Sequence, residues 1–287
     1  MRIRAAAVVL SSAVVLSALA LPAVAQASER ADGATKLRSF ASKTSKTVSP
    51  KDSLGATKFS DAVINGGKDI VLGVTAKKSV TVTYTATNES GIALTEAFLW
   101  QGTDSSNVDD ITGSLGTDDD ATCTESTTQQ GVYSCKAVFN IDPAHDFADG
   151  NGVAGTWKLF LGAWDLYANA SYNDDVTTTK LKRAATLTVN ASPEPVKKGK
   201  TITVTGKLSR ANWTTGRYAG YSTQPVLLQF RKKGSDTYTT LKTVTSSSTG
   251  TLTTTTTAGV DGYYRFAFAG TTTTGSKKAT GDFVDVQ

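Results

Sequence analysis

Two stretches about 120 residues apart repeat one pattern, and that repeat limits the fold more than anything else in the chain. Lys77–Tyr84 reads KKSVTVTY, and Lys197–Lys207 reads KKGKTITVTGK. In each, a basic turn opens a run in which β-branched or aromatic residues alternate with polar ones: Val80, Val82 and Tyr84 in the first, Ile202 and Val204 in the second. Period-two alternation is the mark of a strand with one buried face. An apolar run precedes each turn, Ile70–Val74 and Ala185–Val189. Strand, turn and alternating strand, repeated at domain-sized spacing, predict an all-β chain of two tandem immunoglobulin-like sandwiches.

The patterning assigns residues 61–184 to a first sandwich and 185–287 to a second. The best-patterned strand of the first is GTWKLFLGAWD, Gly155–Asp165. Trp157, Leu159, Leu161 and Ala163 share the core face. Phe160 and Trp164 fall on the other face, which is either covered by a loop or presented as a contact surface. The second sandwich carries about seven strand signals, among them Pro225–Lys232, Thr251–Ala258 and Tyr263–Ala269, with Asp261-Gly262 as a hairpin signal. Pro193 and Pro195 read as a stiffened linker or an edge-strand break at the junction. Modules joined in this way are expected to unfold as two units.

Ahead of the sandwiches, residues 1–27 read as a signal peptide. Arg2 and Arg4 form a positive start, Ala5–Leu21 an apolar core and Ala25-Gln26-Ala27 a cleavage signal. Residues 28–60, rich in Ala, Ser, Thr and Lys, read as a disordered leader. The expectation is a secreted, extracellular protein with no transmembrane anchor. Two cysteines suit an oxidising compartment, and a hairpin turning near Gln129 and Gly131 would bring Cys123 and Cys135 together as a disulfide.

The net charge of +5 hides a division. Glu89–Asp175 holds fifteen acidic residues against Lys136 and Lys158, whereas Leu187–Gln287 holds thirteen basic against five acidic. The basic residues are spread over turns without a recognition motif, so nucleic acid is not an expected partner. Anionic cell-wall polymer, polysaccharide or another surface protein suits an exported basic module better.

The residues argue against an enzyme. His145 is the single histidine, and no G-x-S-x-G elbow, phosphate-cradling glycine loop or histidine-rich zinc pattern occurs. The acidic loops of the first module leave one cofactor in view, calcium, which wants about six to eight oxygen ligands. Asp142, Asp146 and Asp149 are the candidate ligands, helped by Asp118 or Asp120 if their loops converge. In the second module Trp213, Tyr218 and Tyr221 lie with Arg210 and Arg217 in a stretch, Arg210–Gln224, read as a long loop. Such a loop would either stack on sugar rings or grip a peptide, or else fold over the sandwich end with Trp213 as a plug.

The run GYYRFAFAGTTTTGSKKATGDFVDV, with PVLLQFRKKGSDTYTTLKTV before it, resembles the Ig-like modules of secreted actinobacterial proteins. The resemblance covers the last 100 residues or so and extends loosely to GTWKLFLGAWDLYAN in the first module. It implies an Ig-like fold and an extracellular setting, and no enzyme activity; some such proteins are loosely called calcium-binding. Three functions stay open at this point: a secreted binding protein with or without calcium, a structural or adhesive cell-wall spacer, and a carbohydrate-binding module.

Overall fold

The computed structural model describes residues 56–147 and 150–287. The signal-peptide range, most of the leader range and Asp149 lie outside the described residues. Among the described residues the fold is nearly all β, as the alternation predicts. Its strands are β1 (Lys58–Ile64), β2 (Ile70–Leu72), β3 (Lys78–Thr87), β4 (Ile92–Gly102), β5 (Ile111–Leu115), β6 (Thr122–Glu125), β7 (Val132–Ile141), β8 (Gly155–Asp165), β9 (Ala170–Asn173) and β10 (Thr178–Arg183), followed by a second set. That set is β11 (Ala185–Leu187), β12 (Asn190–Ser192), β13 (Thr201–Asn212), β14 (Arg217–Gly220), β15 (Pro225–Lys232), β16 (Thr239–Thr245), β17 (Thr251–Thr257), β18 (Gly262–Phe268), β19 (Lys277–Lys278) and β20 (Asp282–Val284). Strand β1 begins at Lys58 and pairs with β3, so Lys58–Ser60, inside the range read as leader, belong to the first sandwich.

The first sandwich packs the sheet β1-β3-β7-β6 on the sheet β2-β10-β8-β4-β5, with β9 beside β10 on the same edge of β8. Val80, Val82 and Tyr84 of β3 face Leu159 and Leu161 of β8 across one core, each at most 3% exposed. The other face of β8 is covered rather than open. Phe98, Trp100 and Phe160 form a separate buried cluster under Tyr172, which stacks on Phe160 at 5.6 Å. The loop after β9 closes it, with the Trp100 indole donating to the Asp174 carbonyl at 2.7 Å.

Cys123 and Cys135 are directly opposed in the β6–β7 pairing and form the expected disulfide. The hairpin joining them turns at Gly131, whose φ of +73° is open to glycine and costly for other residues. A Cβ there would also sit 2.8 Å from the Asn88 carbonyl oxygen.

In the second sandwich β13 is the long central strand. It carries β12 and β11 on one edge and β17 and β14 on the other. The facing sheet runs β16-β15-β18 with β19 and β20 beyond. The buried rows Ile202, Val204, Leu208 and Val226, Leu228, Phe266 fill the space between the sheets.

The joint differs from the expectation. Only Ala184 separates β10 from β11, while Pro193 and Pro195 lie beyond β12, inside the second sandwich. The stretch Arg210–Gln224 is not one long loop either. It contains the end of β13 and the strand β14 that pairs back onto it.

Candidate functional site

Strand β13 overruns the second sandwich and carries Trp213 into the first. The indole is 3% exposed and belongs to the first module's core cluster. It packs at 4.8 Å on Phe147, which lies edge-on to Trp157 at 6.2 Å, and its Nε1 donates to the Gly73 carbonyl at 2.7 Å. Asn151 completes the seat, accepting from the Trp213 amide at 3.0 Å and donating to Asn212 Oδ1 at 2.8 Å. Trp213 is therefore a plug, but for the neighbouring module, and its ring has no face left for a sugar. Tyr218 is 41% exposed, and Tyr221 lies beneath Arg210 at 3.9 Å and against Phe268 at 5.8 Å. The three aromatics do not form a platform.

Beside this plug the chain crosses between modules at Arg183. Its backbone is bonded on both sides to the loop after β18, donating to Thr273 O at 3.0 Å and accepting from Gly275 N at 2.9 Å. Its Nε donates to the Ala211 carbonyl at 2.7 Å, and the residue is 7% exposed. Burial lowers the Arg183 guanidinium to about 10, and the neighbouring Arg210 adds to the effect. It remains cationic at neutral pH.

The second module's outer face, on β15, β18 and β20, carries a surface that was not singled out from the sequence. Core residues Leu228 and Phe230 alternate with Gln229 and Arg231; Tyr264 and Phe266 alternate with Tyr263 and Arg265. The outward row forms a ladder. Phe283 packs on Tyr263 at 5.2 Å, Arg231 lies over Tyr263 at 4.2 Å and Arg265 over Tyr238 at 3.5 Å. Gln229 Oε1 accepts from Arg265 Nε at 2.9 Å. No carboxylate is ion-paired with either arginine among the described residues. Bonding to Tyr238 raises Arg231 above its ordinary value, so its charge is permanent. The signal in the sequence was period-two spacing of Gln229/Arg231 and of Tyr263/Arg265, cross-paired in register. The basic residues were read as scattered over turns because register is not visible before the strands are paired.

The acidic residues proposed for calcium are placed as follows. Asp142 caps the single helical turn Pro143–Asp146, accepting from the Ala144 amide at 3.1 Å. Its other oxygen meets Lys77 Nζ at 3.0 Å and His145 Nδ1 at 2.9 Å. Burial raises the Asp142 carboxyl, but hydrogen bonds from Lys77, His145 and Ala144 outweigh it and the net shift is downward. Asp146 Oδ2 accepts from the Asp142 amide at 2.8 Å, and Asp118 Oδ2 from Asn140 at 2.9 Å. Asp120 stands exposed before β6. Among the described residues no three His, Cys, Asp or Glu side chains lie close enough together to hold a metal ion.

No ion pair joins the acidic module to the basic one among the described residues; those present are each internal to one module. Among the same residues no helix is long and apolar enough to cross a membrane.

No family model and no curated protein matches the chain. Solved structures similar to it include dimeric latent PorU from Porphyromonas gingivalis, at 13% identity and a TM-score of 0.27 over 84% of this chain. The chain spans 21% of that protein's length. The fibronectin(III)-like modules of Clostridium thermocellum CbhA are 12% identical, with a TM-score of 0.31 over 78% of this chain and 92% of theirs. The Yersinia pseudotuberculosis adhesin InvE is 14% identical, with a TM-score of 0.26 over 80% of this chain and 60% of its own. At these TM-scores the likenesses add nothing to the fold, which rests on the chain's own four sheets packed in two pairs around two cores.

Proposed function

We propose that the chain is an exported, non-enzymatic binding protein whose second sandwich holds an anionic polymer of the cell exterior on its Arg231–Arg265 face. The single observation that supports this is two guanidinium groups, each lying over a tyrosine ring and without an ion-paired carboxylate among the described residues, on the outer sheet face of a module with a net charge of +8 between Leu187 and Gln287. Stacking fixes the planes of the guanidinium groups; Arg231 Nη1 donates to the Ser235 carbonyl and Arg265 Nε to Gln229, and the remaining N–H groups would bond phosphate, sulfate or carboxylate. The first sandwich, seated on the second through Trp213, serves as a rigid arm.

Retention on sulfated dextran but not on neutral dextran, weakening as salt is raised, is the expected behaviour. Replacing Arg231 and Arg265 by Gln should abolish it, and replacing Lys277 and Lys278 should not. Equal loss in both double variants would reduce the effect to net charge. A second reading, a spacer without a ligand, is favoured by the buried joint alone. It predicts no retention on either matrix.

A further inference from the structure

At the end of the second sandwich that abuts the joint, Arg183 and Arg210 are neighbouring cations. On β13 the core-facing row runs Leu208, Arg210, so Arg210 closes the end of the core, with its guanidinium over Tyr221. Arg183 approaches the same end from β10, 7% exposed, with Nε on the Ala211 carbonyl as its hydrogen bond. Neither arginine meets a carboxylate among the described residues. Burying an unpaired charge is costly, and a second like charge beside it raises that cost.

One further group belongs to the same place. Thr274 is 0% exposed, and its Oγ1 is the one buried side-chain polar atom among the described residues with no hydrogen-bond partner. Thr274 is bridged to Arg183 in parallel pairing. Bridged residues project to the same side of their strands, so the orphaned hydroxyl and the buried guanidinium share a face. A buried hydroxyl left unpaired is costly, which makes its coincidence with a buried cation that has no carboxylate partner informative.

We propose that a small oxyanion binds at this joint, held by the guanidinium groups of Arg183 and Arg210 and by the Thr274 hydroxyl. The anion would supply the missing counter-charge and the acceptor for Thr274. Because Arg183 and Thr274 come from opposite sides of the junction, its binding would tie the two sandwiches together. This site is separate from the Arg231–Arg265 face and independent of what that face binds.

Inorganic phosphate is the probe. The purified chain is melted across a phosphate series with sodium chloride keeping ionic strength constant. The melting temperature should rise saturably for the parent chain and for Lys136→Gln, which removes an exposed cation on β7 that belongs to neither site. Thr274→Val, which keeps the shape and removes the hydroxyl, and Arg210→Gln should each weaken the apparent affinity at least tenfold. A rise that does not saturate, or that is the same in the parent and both variants, would reflect general salting of the folded state and overturn the proposal. A parent chain indifferent to phosphate would overturn it equally, leaving a buried water as the partner of Thr274.

Discussion

Trp213 and Phe147 pack with ring centroids 4.8 Å apart and planes tilted by 31° although they belong to different sandwiches. Trp213 lies one residue beyond β13, and Phe147 directly follows the helical turn at Pro143–Asp146 in the first module. The second module therefore contributes a large side chain to the first module's core, which is not complete without it.

Trp213→Ala should accordingly cost about 3–5 kcal/mol, as truncation of a buried aromatic does. The cost should fall on the coupling as well as on the first module. Calorimetry is expected to show one cooperative transition for the parent chain and two for the variant. Two transitions already present in the parent would mean that the joint carries little energy.

Asp165 gives a second test. Its carboxylate is 2% exposed and accepts from the amides of Tyr167 and Asn169 at 2.9 and 2.8 Å and from Asn169 Nδ2 at 2.9 Å. Burial pushes this carboxyl up, but the bonds from Asn169 and Tyr167 more than offset it and the net shift is downward. A carboxyl depressed in the folded state stabilises above its unfolded pKa, and that stability is lost as pH falls through the folded value. Asp165→Ala, which strands three donors, should cost on the order of 2–3 kcal/mol at neutral pH. Its stability should also fall less steeply than the parent's below the ordinary carboxylate range. An unchanged acid limb in urea melts across that range would remove Asp165 from the account.

Much of this architecture could be read from the alternation. Val80, Val82 and Tyr84, or Ile202 and Val204, declare their buried face because a half-buried strand leaves a period of two. Strands β1, β5, β9 and β14 gave weaker signals, being short, edge-placed or mixed in polarity. What could not be read was pairing between distant segments. Nothing local to Arg210–Gln224 says that Trp213 enters another module, and only the β15–β18 register brings Gln229 opposite Arg265 and Arg231 opposite Tyr263. Cys123 and Cys135 were legible because a short hairpin leaves the pair little choice.

That disulfide closes a loop with a sequence separation of 12. In the chain-entropy model such a loop contributes about 3 kcal/mol. Replacing both cysteines by Ser should lower the first module's stability by about that amount in urea titrations. It should leave retention on sulfated dextran unchanged, since the bridge is remote from the Arg231–Arg265 face. Loss of retention in a folded variant would place the binding surface on the first module instead.

The acidic surface of the first module poses the last question, which is whether it is relieved by a bound cation or only by screening. Fifteen carboxylates against two cations between Glu89 and Asp175 repel one another in the folded state. Any salt should therefore raise stability at low ionic strength. Calcium would do more only where several oxygens converge, and among the described residues no three carboxylate, histidine or cysteine side chains do so. Asp142 is shared by Lys77, His145 and the Ala144 amide, while Asp146 is bonded to the Asp142 amide and Asp118 to Asn140. An ion at Asp142 would have to displace Lys77. Calcium chloride and sodium chloride at matched ionic strength should accordingly give equal shifts in melting temperature. Lys77→Ala should lower the melting temperature in both salts and leave the two shifts equal. A larger calcium shift in the parent, enhanced by Lys77→Ala, would instead show that Asp142 gives up its lysine to a metal.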